Sequence, residues 1–180
     1  MNAGKSMDLI KTAYNYDERG FDIAVFNYEH DKRFGENLVA SRAGVKWGSK
    51  PFNKDTVFLE NDYYDEAILL IDEAQFLTNY QVSQLIHIKN TYSIPIICYG
   101  LRTDFQGDLF EGSKWLLAWA DNVEELKTIC HCGKKATMQI RKDRHGKRIL
   151  DGEQEQIGDE CYESVCSYHF WEPLFFEGWK

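Results

Sequence analysis

The sequence lacks any apolar run approaching the roughly 20 residues of a membrane-spanning helix, so no transmembrane segment is expected. It lacks a secretory leader pattern at its start, where Lys5, Asp8 and Lys11 interrupt every apolar stretch. It is short of positive charge. Its 29 acidic and 21 basic residues give a net charge of −8, which argues against a general binder of nucleic acid or anionic membrane. There is no internal repeat and no low-complexity segment. Cysteines are few and odd in number, five in 180 residues, and three of them sit in short metal-like spacings. That usage fits a metal site in a reducing compartment better than a disulfide framework. The expectation is a cytoplasmic protein with no nucleic-acid partner and no membrane attachment.

What is present is enough for a core: 43% of residues are hydrophobic and 14% aromatic, sufficient for one medium domain with a small module. Apolar spacing at Ile10, Ala13 and Tyr14, with Gly20 as a stop, predicts a helix over 5–19. A strand is predicted over 22–28, and the polar stretch 29–51 is expected to be irregular. A short strand over 56–59 and a helix or turn over 61–66 follow. The apolar run 67–71 ends in Asp72-Glu73, the mark of a strand buried on both faces of a parallel sheet. Then come a helix over 79–89, a buried strand over 95–101, a short helix over 113–120 and a strand over 123–129. This alternation predicts an α/β domain with a mainly parallel sheet. Composition changes near Cys130, giving three expected segments: a nucleotide-binding domain over 1–128, a zinc domain over 129–170 and an aromatic tail over 171–180.

Four constellations carry chemistry. Gly4-Lys5-Ser6 supplies the last three positions of the phosphate-loop pattern G-x-x-x-x-G-K-[ST], whose first glycine would fall two residues before Met1. Backbone N–H groups at a helix N-terminus attract phosphate, lysine adds a point charge, and serine can ligate Mg²⁺. Asp72 and Glu73 follow a buried strand, where one carboxylate can hold Mg²⁺ and the other can act as general base. Cys130, Cys132, Cys166 and His169 give two half-sites for a structural Zn²⁺, with His131 a competitor for one position and Cys161 a spare. Arg102 and Phe105 follow a strand and are either phosphate and base contacts or a surface charge and a core aromatic. The insert 133–165 has a basic run over 141–148 and reads mostly as a solvated hairpin tip. A helicase-like ATPase fragment and a non-catalytic zinc module remain as rival readings.

Taken together and in order, MNAGKS, Asp31-Lys32-Arg33, LLIDEAQF, YGLRTDFQG, LKTICHCGKKA and SVCSYH make the chain resemble the zinc-containing type II thymidine kinases, the bacterial branch in particular. The resemblance runs from Met1 to about Tyr168. It implies a P-loop kinase-like α/β domain, a small zinc-bound β-ribbon and lasso domain, and a homotetramer. It implies ATP and Mg²⁺ with thymidine as acceptor, deoxyuridine as a second acceptor, and a place in nucleotide salvage for DNA synthesis. It assigns Gly4, Lys5, Ser6, Asp31, Arg33, Asp72 and Gln75 to ATP, with Ser6 and Asp72 on the magnesium side, and Glu73 as general base. It places Met1, Phe76, Leu101, Phe105, Phe110, Gln156, Ile157, Gly158 and Tyr162 at the nucleoside. It makes Cys130, Cys132, Cys166 and His169 the zinc ligands. The chain departs from the pattern before Tyr162, where residues 157–161 are one residue shorter and lack a second glycine. The family also carries a strand before the phosphate loop that this sequence does not contain, so these 180 residues are expected to form an incomplete kinase of low activity.

Overall fold

The computed structural model describes residues 3–31, 35–61, 63, 65–154 and 161–176. The chain divides into two compact units. The larger comprises residues 4–101 and 111–123, and the smaller comprises residues 1–3, 102–110 and 124–180.

The larger unit contains helix α1 (Lys5–Asp17), strands β1 (Asp22–Tyr28), β2 (Leu38–Ala40), β3 (Lys46–Gly48), β4 (Lys50–Phe52) and β5 (Glu66–Ile71), helix α2 (Asn79–Tyr92), strand β6 (Ile96–Cys98) and helix α3 (Glu111–Trp119). Four strands pair in the order β4-β1-β5-β6, every pair parallel. β5 is interior, hydrogen-bonded to β1 on one side and β6 on the other. Its side chains alternate between faces. Leu69 and Ile71 join Ala24, Phe26 and Tyr28 in the core that Val82, Leu85 and Ile88 of α2 complete. Ile68 and Leu70 therefore point to the opposite face, where α1 lies against β1 and β5 through buried Leu9, Ile10 and Ala13. Helices on both faces are the reason the run reads as continuously apolar. Each fully buried Leu or Ile contributes about 1.5–3 kcal/mol relative to exposure.

Several local expectations are corrected. Residues 29–51 are not irregular throughout: β2 and β3 form an antiparallel hairpin, and β4 adds an edge to the parallel sheet. The expected strand over 56–59 is instead a short 3₁₀ turn, Phe58–Glu60. The carbonyls of Asn53 and Thr56 accept from the Gln81 side chain at 2.7 and 2.9 Å, so they have no need of a strand neighbour. β6 is shorter and less buried than expected, with Ile97 37% exposed, because among the described strands it pairs only with β5. Of the strand expected over 123–129, only β7 (Thr128–Ile129) is regular, and residues 123–127 pair with no described strand.

The smaller unit contains β7, β8 (Lys135–Ala136), β9 (Met138–Lys142), β10 (Arg148–Ile149), β11 (Cys161–Val165) and helix α4 (Ser167–Phe176). β7 and β8 make a hairpin, and β10-β9-β11 make an antiparallel sheet. Its core is small: Cys130, Ala136, Ile140, Val165, Cys166 and Phe170. Two cations read as solvated are not. Arg141 is 1% exposed, with its guanidinium 3.8 Å from the Phe105 ring centre, and Arg148 lies over Phe170. Among the described residues no helix is long and apolar enough to cross a membrane.

Gly112, at the start of α3, is fixed by close approach. A Cβ there would stand 2.5 Å from the Ala74 carbonyl oxygen and 2.8 Å from that of Leu77. Backbone oxygens cannot swing away, so Gly112→Ala is expected to lower unfolding free energy by about 1–3 kcal/mol in urea titration. Gly48→Ala, with nothing within 4 Å, is the control and stays within about 0.5 kcal/mol. Equal effects of the two changes would refute the close packing.

Candidate functional site

α1 starts at Lys5 because Gly4 takes a left-handed conformation (φ 78°, ψ 17°) that turns the chain into the helix. The first turn closes through Asp8 N–H donating to the Gly4 carbonyl at 2.9 Å. Lys5 and Ser6 thus stand at a helix N-terminus, where the helix field favours anions. Ser6 Oγ donates to Asp72 Oδ2 at 2.8 Å. Two half-motifs 66 residues apart are in this way joined by one hydrogen bond. The separation is close to the about 3.0 Å expected between adjacent oxygen ligands of an octahedral ion with 2.0–2.1 Å bonds. Both atoms fit the same edge of a Mg²⁺ coordination shell.

Asp72 follows β5, where its N–H donates to the Phe26 carbonyl at 2.9 Å and extends the β1–β5 pairing. Its side chain is only 2% exposed. Burial pushes its pKa up to about 6, the neighbouring Glu73 charge pushes the same way, and Ser6 and Lys5 pull against both. Glu73 is one of few non-glycine residues with positive φ, at 52°. The 3₁₀ turn Ala74–Phe76 follows, held by Ala74 N–H donating to Tyr99 O at 2.8 Å. Thr78 then caps α2 in a reciprocal box with Gln81.

Gln75 is buried, and both its polar atoms are engaged within the protein. Nε2 donates to Glu73 Oε2 at 2.5 Å, and Oε1 accepts from Leu101 N–H at 3.0 Å. The Leu101 carbonyl accepts from Ser113 Oγ at 2.5 Å. Phe76 stacks on Tyr28 with ring centres 4.4 Å apart. Asp31 lies past the end of β1, lining a cavity of about 370 Å³ with Asn27, Glu29, His30 and Glu36. That cavity is lined by none of Lys5, Ser6, Asp72 or Glu73.

The smaller unit holds the second site. A tight turn with Gly133 N–H donating to Cys130 O brings Cys130 and Cys132 together on the β7–β8 hairpin. Cys166 directly follows β11, and His169 comes three residues later in the first turn of α4. The four ligand atoms lie within 4.8 Å of one another. His169 Nδ1 is 3.4 Å from Cys130 Sγ and 3.3 Å from Cys166 Sγ, and Cys132 Sγ is 3.8 Å from Cys166 Sγ. Bonds of about 2.3 Å to sulfur and 2.0–2.1 Å to nitrogen give tetrahedral edges of about 3.8 Å and about 3.5 Å. These three separations match the edges of a zinc tetrahedron. The competitor His131 turns to Glu163, its Nδ1 3.1 Å from Oε1.

Other expected contacts lie in the smaller unit or outside the described residues. Arg102 is exposed and donates to Thr137 O at 3.0 Å. Phe105 and Phe110 are buried, and Tyr162 stands on β11 opposite Arg141. Met1, Arg33, Gln156, Ile157 and Gly158 fall outside the described residues, as does residue 160 before β11. Sequence reasoning missed Ser113, Gly112 and Arg141. No motif carries the first two, and Arg141 hides in a run of exposed charges.

The sequence matches the family model described as thymidine kinase over residues 1–170. A thymidine kinase of Aliivibrio fischeri is 52% identical over 180 residues, covering 97% of this chain and 94% of that one. One from Mannheimia succiniciproducens is 51% identical over 176 residues, covering 94% and 90%. One from Vibrio vulnificus is 48% identical over 180 residues, covering 97% and 94%. With a family match across nearly its whole length and relatives near half identity over almost all of theirs, the chain belongs to the thymidine kinase family.

Proposed function

We propose that the chain transfers the γ-phosphoryl group of ATP to the 5′-hydroxyl of thymidine, giving dTMP and ADP. The observation that carries this reading is the Ser6–Asp72 contact beside Glu73, in a chain that matches the thymidine kinase family over residues 1–170. Phosphoryl transfer asks for positioning and charge neutralisation more than for covalent help. Lys5 and the N-terminus of α1 attract the phosphate oxygens. Ser6 and Asp72 would hold a magnesium ion, which when bound would supply charge neutralisation for the phosphates. Glu73 takes the proton from the 5′-hydroxyl as its oxygen bonds to the γ-phosphorus and the bond to the ADP oxygen breaks. Phe76 and Leu101 contribute to the nucleoside side in the larger unit. Deoxyuridine, which differs from thymidine by one methyl, is a second acceptor, because one methyl in a pocket discriminates weakly.

We assign Zn²⁺ to Cys130, Cys132, Cys166 and His169 in a structural role, since four protein ligands leave no open position. The chain is assigned to the cytoplasm and to a homotetramer on its resemblance to bacterial enzymes of this family.

Glu73→Gln is expected to lower kcat by about 10²–10⁴-fold while ATP affinity by calorimetry stays within about threefold. A kcat near that of the parent would refute Glu73 as base. Asp72 generates a stability prediction with a definite sign. Its folded pKa, about 6, lies above the ordinary 3.8. The neutral form is therefore favoured by folding, and that contribution is full below about pH 3.8 and lost as pH rises through about 6. Without magnesium, Asp72→Asn should be more stable than the parent at pH 8, with the gap closing toward pH 4, read from urea midpoints. A gap that widens toward pH 4 would contradict the burial argument. Zinc chelation should expose residues 134–165 to limited proteolysis, and an unchanged cleavage pattern with zinc shown to be gone would count against the structural role.

A further inference from the structure

We infer that Gln75 is a positioning residue for Glu73: its buried amide, pinned at one end by the Leu101 N–H, holds the Glu73 carboxylate in its working orientation. The inference rests on the reading of Glu73 as the base.

The geometry fixes the amide one way round. A backbone N–H can only donate, so the Gln75 atom 3.0 Å from Leu101 N is the oxygen. The NH₂ group must then face Glu73, where it donates to Oε2 at 2.5 Å. A reversed amide would set donor against donor at Leu101 and acceptor against acceptor at Glu73. The anchor is itself held. Ser113 Oγ donates to the Leu101 carbonyl at 2.5 Å, and a Cβ on Gly100 would come within 3.1 Å of Gln75 Oε1. Gln75 is only 2% exposed, so water does not compete for either bond.

Glu73 needs such a clamp. Its side chain has three rotatable bonds, and it leaves a backbone in the left-handed region, at φ 52° and ψ 36°. Its own N–H donates to Asp72 Oδ1 at 3.0 Å, and its carbonyl accepts from Phe76 N–H at 3.1 Å. Those bonds fix the backbone, and the Gln75 amide acts on the carboxylate itself through Oε2. A base oriented on folding need not lose that freedom at each turnover. Only an amide satisfies both ends, since a carboxylate at position 75 would still accept from Leu101 but would repel Glu73.

The test is a mutant cycle on the full-length enzyme. Gln75→Glu keeps the acceptor for Leu101 and removes the donor to Glu73. It should lower kcat with thymidine about tenfold to a hundredfold, with KM for ATP and thymidine within about threefold. Placed in Glu73→Gln, the same change should cost no more than about twofold further, because the group it acts through is gone. Gln75→Ala adds no charge and is the second variant should Gln75→Glu fold poorly. It is expected to show the same split between kcat and KM and the same silence in the Glu73→Gln background. A parent-like kcat in folded Gln75→Ala or Gln75→Glu, with Glu73→Gln inactive, would overturn the inference and leave the base reading intact. A further tenfold loss in the Glu73→Gln background, or a loss confined to the KM for ATP, would place Gln75 on the phosphates and also overturn it. An active Glu73→Gln would overturn the base reading itself.

Discussion

The candidate catalytic site depends on one buried carboxylate. β5 is covered on both faces and paired on both edges, so its register is fixed by many contacts at once. The strand delivers Asp72 to a place where solvent hardly reaches it, and burial disfavours its charge. An isolated buried carboxylate is costly, and the structure offsets that cost with the Ser6 hydroxyl and with Lys5 at the start of α1. The same arrangement that relieves Asp72 also presents a serine oxygen, a carboxylate and a lysine around one small volume. Phosphate and magnesium chemistry uses that set of groups.

Downstream of Asp72 the chain is held by backbone and side-chain contacts together. Ala74 N–H reaches the Tyr99 carbonyl, Gly112 leaves no room for a Cβ beside the carbonyls of Ala74, Gln75 and Leu77, and Thr78 caps α2. Glu73 sits in the middle of this frame with a backbone conformation few glutamates adopt. A non-glycine residue stays there only where its surroundings over-determine it, and such positions gather at functional sites. The smaller unit solves a different problem. Its core has few apolar residues, and three thiols and an imidazole converge beside it where a bound metal ion would supply the cross-link that a core of that size lacks. Arg141, stacked on Phe105 and donating to the carbonyls of Asp151 and Glu153, ties the segment before residue 155 to the loop 102–110 within the same unit.

Much of this was legible in advance. The run 67–71 announced a strand buried on both faces, and β5 is one. DIAVFNY was read as a strand and is β1, residue for residue. Gly4-Lys5-Ser6 and Asp72-Glu73 pair by residue type alone, and a 2.8 Å hydrogen bond from Ser6 to Asp72 joins them. The spacing of Cys130, Cys132, Cys166 and His169 predicts a metal site, and their ligand atoms converge within 4.8 Å of one another. Less was legible where partners are distant and unpatterned. Residues 56–59 look like a strand, yet Gln81 takes the carbonyls nearby. Arg141 and Arg148 look solvated, yet each lies over an aromatic ring.

The sequence by itself determined the periodicities, the order of the elements and the ligand types, because those follow from local spacing and side-chain chemistry. Tertiary structure alone decided which atoms face each other. It set Gln75 between Glu73 and Leu101, Gly112 against the turn, His131 toward Glu163 and the Arg141 guanidinium over the Phe105 ring. Each of those placements depends on a contact between residues brought together only when the chain folds, so no window of neighbouring residues contains the information.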